Sequence, residues 1–509
     1  MSKYQMSIKE AKQEIANTLQ IYRSKNEFGQ YDIPFSKQRP ILLMGPPGIG
    51  KTAIMEQIAS EENVVLVSYT ITHHTRQSAV GLPVIREKTF GDETMTVTEY
   101  TMSEIIASVY DKIEQTGISE GILFLDEINC VSETLAPTML QFLQYKTFGS
   151  HKLPEGFMIV VAGNPPEYNK SVRDFDIVTL DRLKRIDIAE DYTAWKEYAY
   201  AHELHPAILS YLDIKKENFY QVHSTIEGED FVTARGWEDL SRFLYACEKK
   251  EFAITLSGIH QYLQHEEIAR DFSNYYDLFL KYKQNYDIPG ILSGKEDPIA
   301  QERLSQASFD ETLSVLGLFL GSIGEQCGNL HSQDETLTRI HGALQQWKGS
   351  LHSSQKKADD QLDEIYQRME QQMKNKKKAS QLTEETERTY LSALHNLQLY
   401  RKQLHDTITE EPEDAFEFVK GFFGNSVAEY ETNCTNTKNS LTNAFLFLEN
   451  IFAGKQEMVL FVTELAMNPH ISWFLSEHGC DKFYEYNKDL LVDEKKQELR
   501  RKIGAFVNS

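Results

Sequence analysis

Gly45-Pro-Pro-Gly-Ile-Gly-Lys-Thr52, reached directly from the apolar run Ile41–Met44, decides how the rest of the chain is read. It fits G-x-x-x-x-G-K-[ST] in the setting that pattern needs, with a strand before it and a helix after it. Its glycines let the backbone curl so that successive N–H groups point inward at phosphate oxygens. A helix starting near Lys51 adds the positive end of its dipole. Gly45, Pro46, Pro47, Gly48, Ile49 and Gly50 form the cradle, Lys51 reaches the β- and γ-phosphates, and Thr52 supplies a hydroxyl to Mg²⁺.

Working outward, Val64–Tyr69, Ile122–Leu125 and Phe157–Ala162 are apolar without alternation, as strands buried on both faces of a parallel sheet are. Helical patterns separate them, which predicts an α/β fold with right-handed crossovers from residue 40 to about 190. The stretch Gly121-Ile-Leu-Phe-Leu-Asp126-Glu127 ends an apolar strand in two carboxylates, 75 residues after Lys51. Asp126 there can hold Mg²⁺ through water, and Glu127 can orient and deprotonate the water that attacks the γ-phosphate. Asn164 follows Phe157–Ala162, where a carboxamide at a strand tip can hold that water or touch the γ-phosphate. In Leu180-Asp-Arg182-Leu-Lys-Arg185 an outward arginine makes sense as a charge donated to a neighbouring subunit's nucleotide. Arg182 is the better placed, and Arg185 stays open. Thr233-Ala-Arg235-Gly-Trp237 starts a helix, so Arg235 either reaches phosphate from a helical part of the chain or packs on Trp237.

The remainder is helical in pattern. Residues 191–288 read as a lid rich in Tyr and Trp, without a further buried strand, and the stretch Asp287–Pro298 reads as a boundary. Between Ser350 and Glu411 there is no Gly or Pro, so long helices run unobstructed. Lys374 and Lys376–Lys378 followed by Thr383-Glu-Glu predict a turn between two antiparallel helices. The expected organisation is therefore an N-terminal helix and linker (1–37), the α/β nucleotide-binding domain (38–190), the helical lid (191–288) and an all-helical C-terminal region (289–509) with a helical hairpin over 352–410.

Fifty-three basic against seventy-six acidic residues leave a net charge of −23, which argues against a protein that coats nucleic acid or anionic membrane. No apolar run approaches the roughly 18 residues of a membrane span; the best, Leu313–Ile323, is broken by Gly317, Gly321 and two serines. The five cysteines stand far apart with no C-x-x-C pair, so neither a disulfide framework nor a structural zinc site is expected. The N-terminus lacks the apolar stretch of a secretory signal. A soluble, cytoplasmic protein follows as the expectation.

In this order GPPGIGKT, ILFLDE, AGNPPEY, LDRL and TARGW resemble an AAA+ ATPase of the MoxR branch, over roughly residues 38 to 285. The resemblance implies a phosphate-loop NTPase sheet with a helical lid, assembled into a ring that is usually a hexamer, and ATP with Mg²⁺ as ligands. Carried over by position, Lys51 and Thr52 are Walker A, Asp126 and Glu127 Walker B, Asn164 sensor 1, Arg182 the finger and Arg235 sensor 2. Leu183 departs from the Phe common at that place, an apolar exchange. Two insertions fit the branch. Gly81–Ile85 and Thr94–Thr101 flank Phe90-Gly-Asp as one hairpin, and Tyr145–Gly149 with Lys152-Leu-Pro form another. In similar proteins both face the ring's pore and touch the protein being remodelled; the simpler alternative is two surface hairpins. The resemblance also implies a protein client or adaptor with a von Willebrand A domain. Residues 290–509 resemble no known pattern. Two other functions remain. A nucleic-acid motor or restriction component is disfavoured by the acidic balance. A nucleotide-gated scaffold without turnover is opposed by the Glu127, Asn164 and Arg182 set.

Overall fold

Apolar runs and short loops build a sheet first. In the computed structural model, which describes residues 5–73, 81–168, 175–224, 229–351, 356–405 and 412–488, the first part of the chain forms strands β1 (Ile41–Met44), β2 (Val65–Thr70), β3 (Pro83–Phe90), β4 (Glu93–Tyr100), β5 (Gly121–Asp126), β6 (Thr147–Phe148), β7 (His151–Lys152), β8 (Phe157–Gly163) and β9 (Lys184–Asp187). Five of them make one sheet in the order β2-β5-β8-β1-β9, and every neighbouring pair is parallel. Side-chain alternation gives the sheet two apolar faces. Leu42, Leu123, Leu125 and Val161 pack with Ile105, Val109, Met139 and Phe142 on one side. Leu43, Ile122, Phe124 and Val160 pack with Ile15, Leu19, Met55 and Ile58 on the other. Helices therefore cover both faces, as parallel strands with continuous apolar runs require.

The helix Ile8–Arg23 opens on the expected capping box, in which Ser7 accepts from the Glu10 amide and the Glu10 carboxylate accepts from the Ser7 amide. Its apolar residues Ala11, Ile15 and Leu19 are buried against the sheet, so it packs as part of this unit. Strand β9 went unread in the sequence because Lys184-Arg-Ile-Asp187 offers a single buried side chain, Ile186. Lys184 is held instead by Glu14 and Thr18, each 2.6 Å from its ammonium.

Both inserted hairpins are present. The pair β3–β4 stands between β2 and the helix Glu104–Thr116, with both strands exposed along nearly their whole length. The short pair β6–β7 follows the helix Ala136–Tyr145. His151 Nε2 of β7 lies 3.0 Å from the carbonyl of Tyr100, the last residue of β4, and the Tyr110 hydroxyl on the helix Glu104–Thr116 donates to the Lys152 carbonyl at 3.3 Å.

Packing divides the chain differently from the four-part expectation. One unit comprises Met1–Ala194 with Tyr366–Tyr390, the other Trp195–Ile365 with Leu391–Ser509. In the second unit the helices of 195–288 pack with those that follow them. The 43-residue helix Phe309–Leu351 explains this. Gly317 and Gly321 bring its backbone against the helix Pro206–Ile214 so closely that a Cβ at either would lie 1.9 Å from Ser210 Oγ or 2.5 Å from Pro206 Cγ. A buried ion cluster reinforces the joint: Lys196 bridges Asp213 at 2.7 Å and Glu464 at 2.6 Å, and the Tyr200 hydroxyl also donates to Glu464. The stretch expected as a boundary forms helices Ile288–Leu292 and Pro298–Ser305, both packed on the helix Pro412–Phe452. The lid region also holds a small antiparallel ribbon, β10 (Gln221–Ser224) with β11 (Glu229–Val232), which the sequence reading did not foresee.

The predicted helical hairpin is the pair Ala358–Lys378 and Glu384–His405. The ends of its expected span, 352–355 and 406–410, lie outside the described residues, as does the part of 289–509 beyond residue 488. No described helix is long and apolar enough to cross a membrane.

Candidate functional site

Sheet order builds the site. Because β8 lies between β1 and β5, the carboxyl ends of three strands release their loops side by side. From β1 come Lys51 and Thr52, from β5 Asp126 and Glu127, and from β8 Asn164.

The loop after β1 has the predicted curl. Gly48 and Gly50 sit at φ 73° and 92°, and the helix Lys51–Glu61 begins directly after Gly50. The Lys51 ammonium is buried and donates to the carbonyls of Gly45 and Pro46 and to Asn164 Oδ1, each at 2.8 Å. The loops after β1 and β8 thus converge on one cation. The Thr52 hydroxyl donates to Asp126 Oδ2 at 3.2 Å. Two hard oxygen donors this close, next to a lysine, fit the demands of a small divalent cation such as Mg²⁺, which binds through one or two protein oxygens and keeps waters and phosphate for the rest.

Glu127 adopts φ 57°, a left-handed backbone that costs a non-glycine residue energy and recurs where function demands it. Its amide donates to Asp126 Oδ1 at 2.9 Å, and its carboxylate accepts from the Thr72 hydroxyl at 3.1 Å. Thr72 was not picked out in the sequence. It lies just beyond β2, whose Thr70 pairs with Asp126, and only that pairing could have pointed to it.

Asn129 was missed as well. Its side chain is buried and donates from Nδ2 to the Asn164 carbonyl at 2.7 Å, fixing the backbone that carries the carboxamide. Its Oδ1 has no hydrogen-bond partner among the described residues. The contact explains Gly163, where a Cβ would come within 2.6 Å of that oxygen. Nearby, burial first and then the charges of Glu127 and Asp126 push the Cys130 thiol up, keeping it protonated and unreactive.

The arginines differ in their engagements. Arg185 is spoken for, with its guanidinium 2.8 Å from Asp187 on the same strand. Arg182 is exposed just before β9, and the neighbouring Ile177 and Val178 are also exposed, at 84% and 58%. Arg235 is exposed in the first turn of the helix Ala234–Lys250, in the second unit. The rings of Tyr211 and Phe272 pack on Trp237, whose indole donates to the Phe219 carbonyl at 3.0 Å.

These features define a class. Residues 40–183 match the family described as AAA domain (dynein-related subfamily), a match over just over a quarter of the chain. The first unit therefore carries an AAA domain, a nucleotide-binding domain of the ATPase type. No curated protein matches the chain. Among solved structures, one from Cytophaga hutchinsonii, whose protein is named only provisionally as an ATPase, shares 16% identity with a TM-score of 0.22. That likeness covers 36% of this chain and half the length of the other.

Proposed function

We propose that the protein is a ring-forming ATPase of the MoxR branch, which hydrolyses ATP to remodel or activate a protein client. The observation that carries this reading is the convergence of Lys51, Thr52, Asp126, Glu127 and Asn164 at the carboxyl ends of three adjacent strands. Electrostatic positioning of this kind supplies most of the catalysis in phosphoryl transfer. The Lys51 donors now spent on two carbonyls and Asn164 would turn to phosphate oxygens, which are stronger acceptors. That exchange frees the Asn164 carboxamide to hold the attacking water. Thr52 and Asp126 would hold Mg²⁺, which neutralises charge developing on the phosphates when bound. Glu127 would take the water's proton, its carboxylate steadied by Thr72.

Exposed Ile177 and Val178 beside Arg182 support an interface with a second copy, where Arg182 rather than the engaged Arg185 would complete the neighbouring pocket. Arg235 would add a second positive charge from the helical region. The exposed β3–β4 hairpin carries Ile85 at 74% and Phe90 at 56% exposure. Such a ribbon is marginal alone and suits contact with a client. The hexameric count and a von Willebrand A-domain adaptor rest on the resemblance only. The test is subunit mixing: Arg182→Ala alone should lose turnover, and mixing it with Lys51→Ala should restore part of it. Full turnover by Arg182→Ala would remove the finger and the ring with it.

A further inference from the structure

We propose that the tip of the helical hairpin is a built-in anchor on the nucleotide-binding sheet, through which the hairpin arms feel the state of the phosphate-loop helix. The arms run antiparallel: Asp359 pairs with His405 at 3.2 Å, Asp363 with Arg401, and Lys377 with Glu387 near the tip. At the tip Ser380 takes φ 56°, its amide donating to the Lys377 carbonyl and that of Gln381 to the Lys376 carbonyl. This is a Schellman cap with serine where glycine is usual. The bend presents Ala379 and Gln381 to the outer edge of β2, the last strand on that side of the sheet.

The docking is specific. The Leu66 amide, which points away from the sheet, donates to the Ala379 carbonyl at 3.3 Å. The Ser60 hydroxyl donates to the Gln381 carbonyl at 2.9 Å, and Gln381 Nε2 donates to the Val64 carbonyl at 3.1 Å. Lys112 donates to the Lys378 carbonyl, a helix-end acceptor that favours a cation. Ala379 and Gln381 are buried, and Ala379 belongs to the same apolar cluster as Val65 and Ile105. A segment some 300 residues downstream thus supplies a partner to an otherwise open strand edge.

The helix Lys51–Glu61 carries Lys51 and Thr52 at one end and Ser60 near the other, about 14 Å away. The tip counts with the first unit, while residues before 366 and after 390 count with the second. The chain therefore passes between the two units at 194–195, 365–366 and 390–391. The arms at 358–365 and 391–404 continue directly from the docked tip, so a change at the Ser60–Gln381 contact reaches them along the helices themselves. The transmission rests on the ATPase reading; the anchor does not.

Hydrogen exchange on the full chain, without nucleotide, with ADP and with a non-hydrolysable ATP analogue, tests both. The Leu66 amide should exchange slowly in all three states, and the arms at 358–365 and 391–404 should differ between ADP and the analogue. Gln381→Ala and, more severely, Ala379→Glu should speed Leu66 exchange on the order of 10–100-fold and erase the difference in the arms, with binding of a fluorescent ATP analogue kept. Fast Leu66 exchange in the parent protein overturns the anchor. A nucleotide-dependent difference that survives in Gln381→Ala once Leu66 is released overturns the transmission. Failure of the parent to bind nucleotide, with Leu66 still protected, would sink the ATPase reading and the transmission while leaving the anchor standing.

Discussion

The two units solve the problem of positioning polar groups in opposite ways. In the first, the charged and amide side chains that matter lie at strand tips, a few residues from the end of an apolar run, and the sheet order brings them together. In the second, the Lys196, Asp213 and Glu464 cluster joins helices separated by as many as 268 residues in the chain, with Lys196 and Glu464 buried and Asp213 half-buried. The first arrangement leaves groups available to a ligand. The second consumes them in holding helices together. A polar residue's distance from the end of its element thus says more about its use than its burial does, since Lys51 is as buried as many core residues.

Five substitutions, two of them read at the extremes of pH, would break or sharpen that contrast. Glu127→Gln should lower ATP turnover by roughly 10²–10⁴-fold with nucleotide binding retained, and should leave the unfolding of the second unit unchanged by calorimetry. Parent-level turnover would remove Glu127 as the base. Lys196→Ala strands Asp213 and Glu464 without their cation and should cost about 3–5 kcal/mol, read as a lower midpoint of the second unit's transition with nucleotide binding preserved.

The pH responses should separate the units at opposite ends of the scale. Hydrogen bonding to His205, then its charge and that of Lys283, hold the Glu248 carboxyl down at about 2. The stability this gives the second unit is complete above the ordinary carboxyl value near 4.5 and is lost as pH falls through 2, about 3 kcal/mol at most. In the first unit, burial pushes Lys146 down to about 8. Its charged form is penalised on folding below that pH, and the penalty lifts as pH rises from 8 towards 10.5. The first unit should therefore gain up to about 3 kcal/mol over that window. Denaturant melts at pH 3 and pH 9.5 with Glu248→Gln and Lys146→Met would show whether each slope belongs to the residue named. The smallest effect should come from Asn129→Ala, about 1–2 kcal/mol, with a larger fall in kcat than in nucleotide affinity because the Asn164 backbone loses its tether.

Most of the sheet was legible because a buried parallel strand writes itself as an apolar run and a phosphate loop as a fixed spacing of glycines. What stayed hidden follows from the same physics. Strand β9 buries one side chain and so has no periodicity to read. Thr72 and Asn129 act through hydrogen bonds to residues on other strands, and nothing local marks them. The sequence favoured Arg182 over Arg185 without showing what either side chain touches; the ion pair of Arg185 with Asp187 is visible only in three dimensions. The turn after Lys378 was visible as a turn. Its docking was not, because Ala379-Ser-Gln381 carries no composition that distinguishes a solvated bend from a buried one.

The cap on β2 has a consequence for synthesis. A sheet whose strands are all translated by residue 187 still lacks its edge partner until residue 381 has left the ribosome. At about 5–20 residues per second that is roughly 10–40 s of waiting, during which Leu66 offers its amide to any extended chain nearby. Slowing translation over the long helix Phe309–Leu351 should lengthen that vulnerable interval, and nascent chains stalled there should be the ones that chaperones hold.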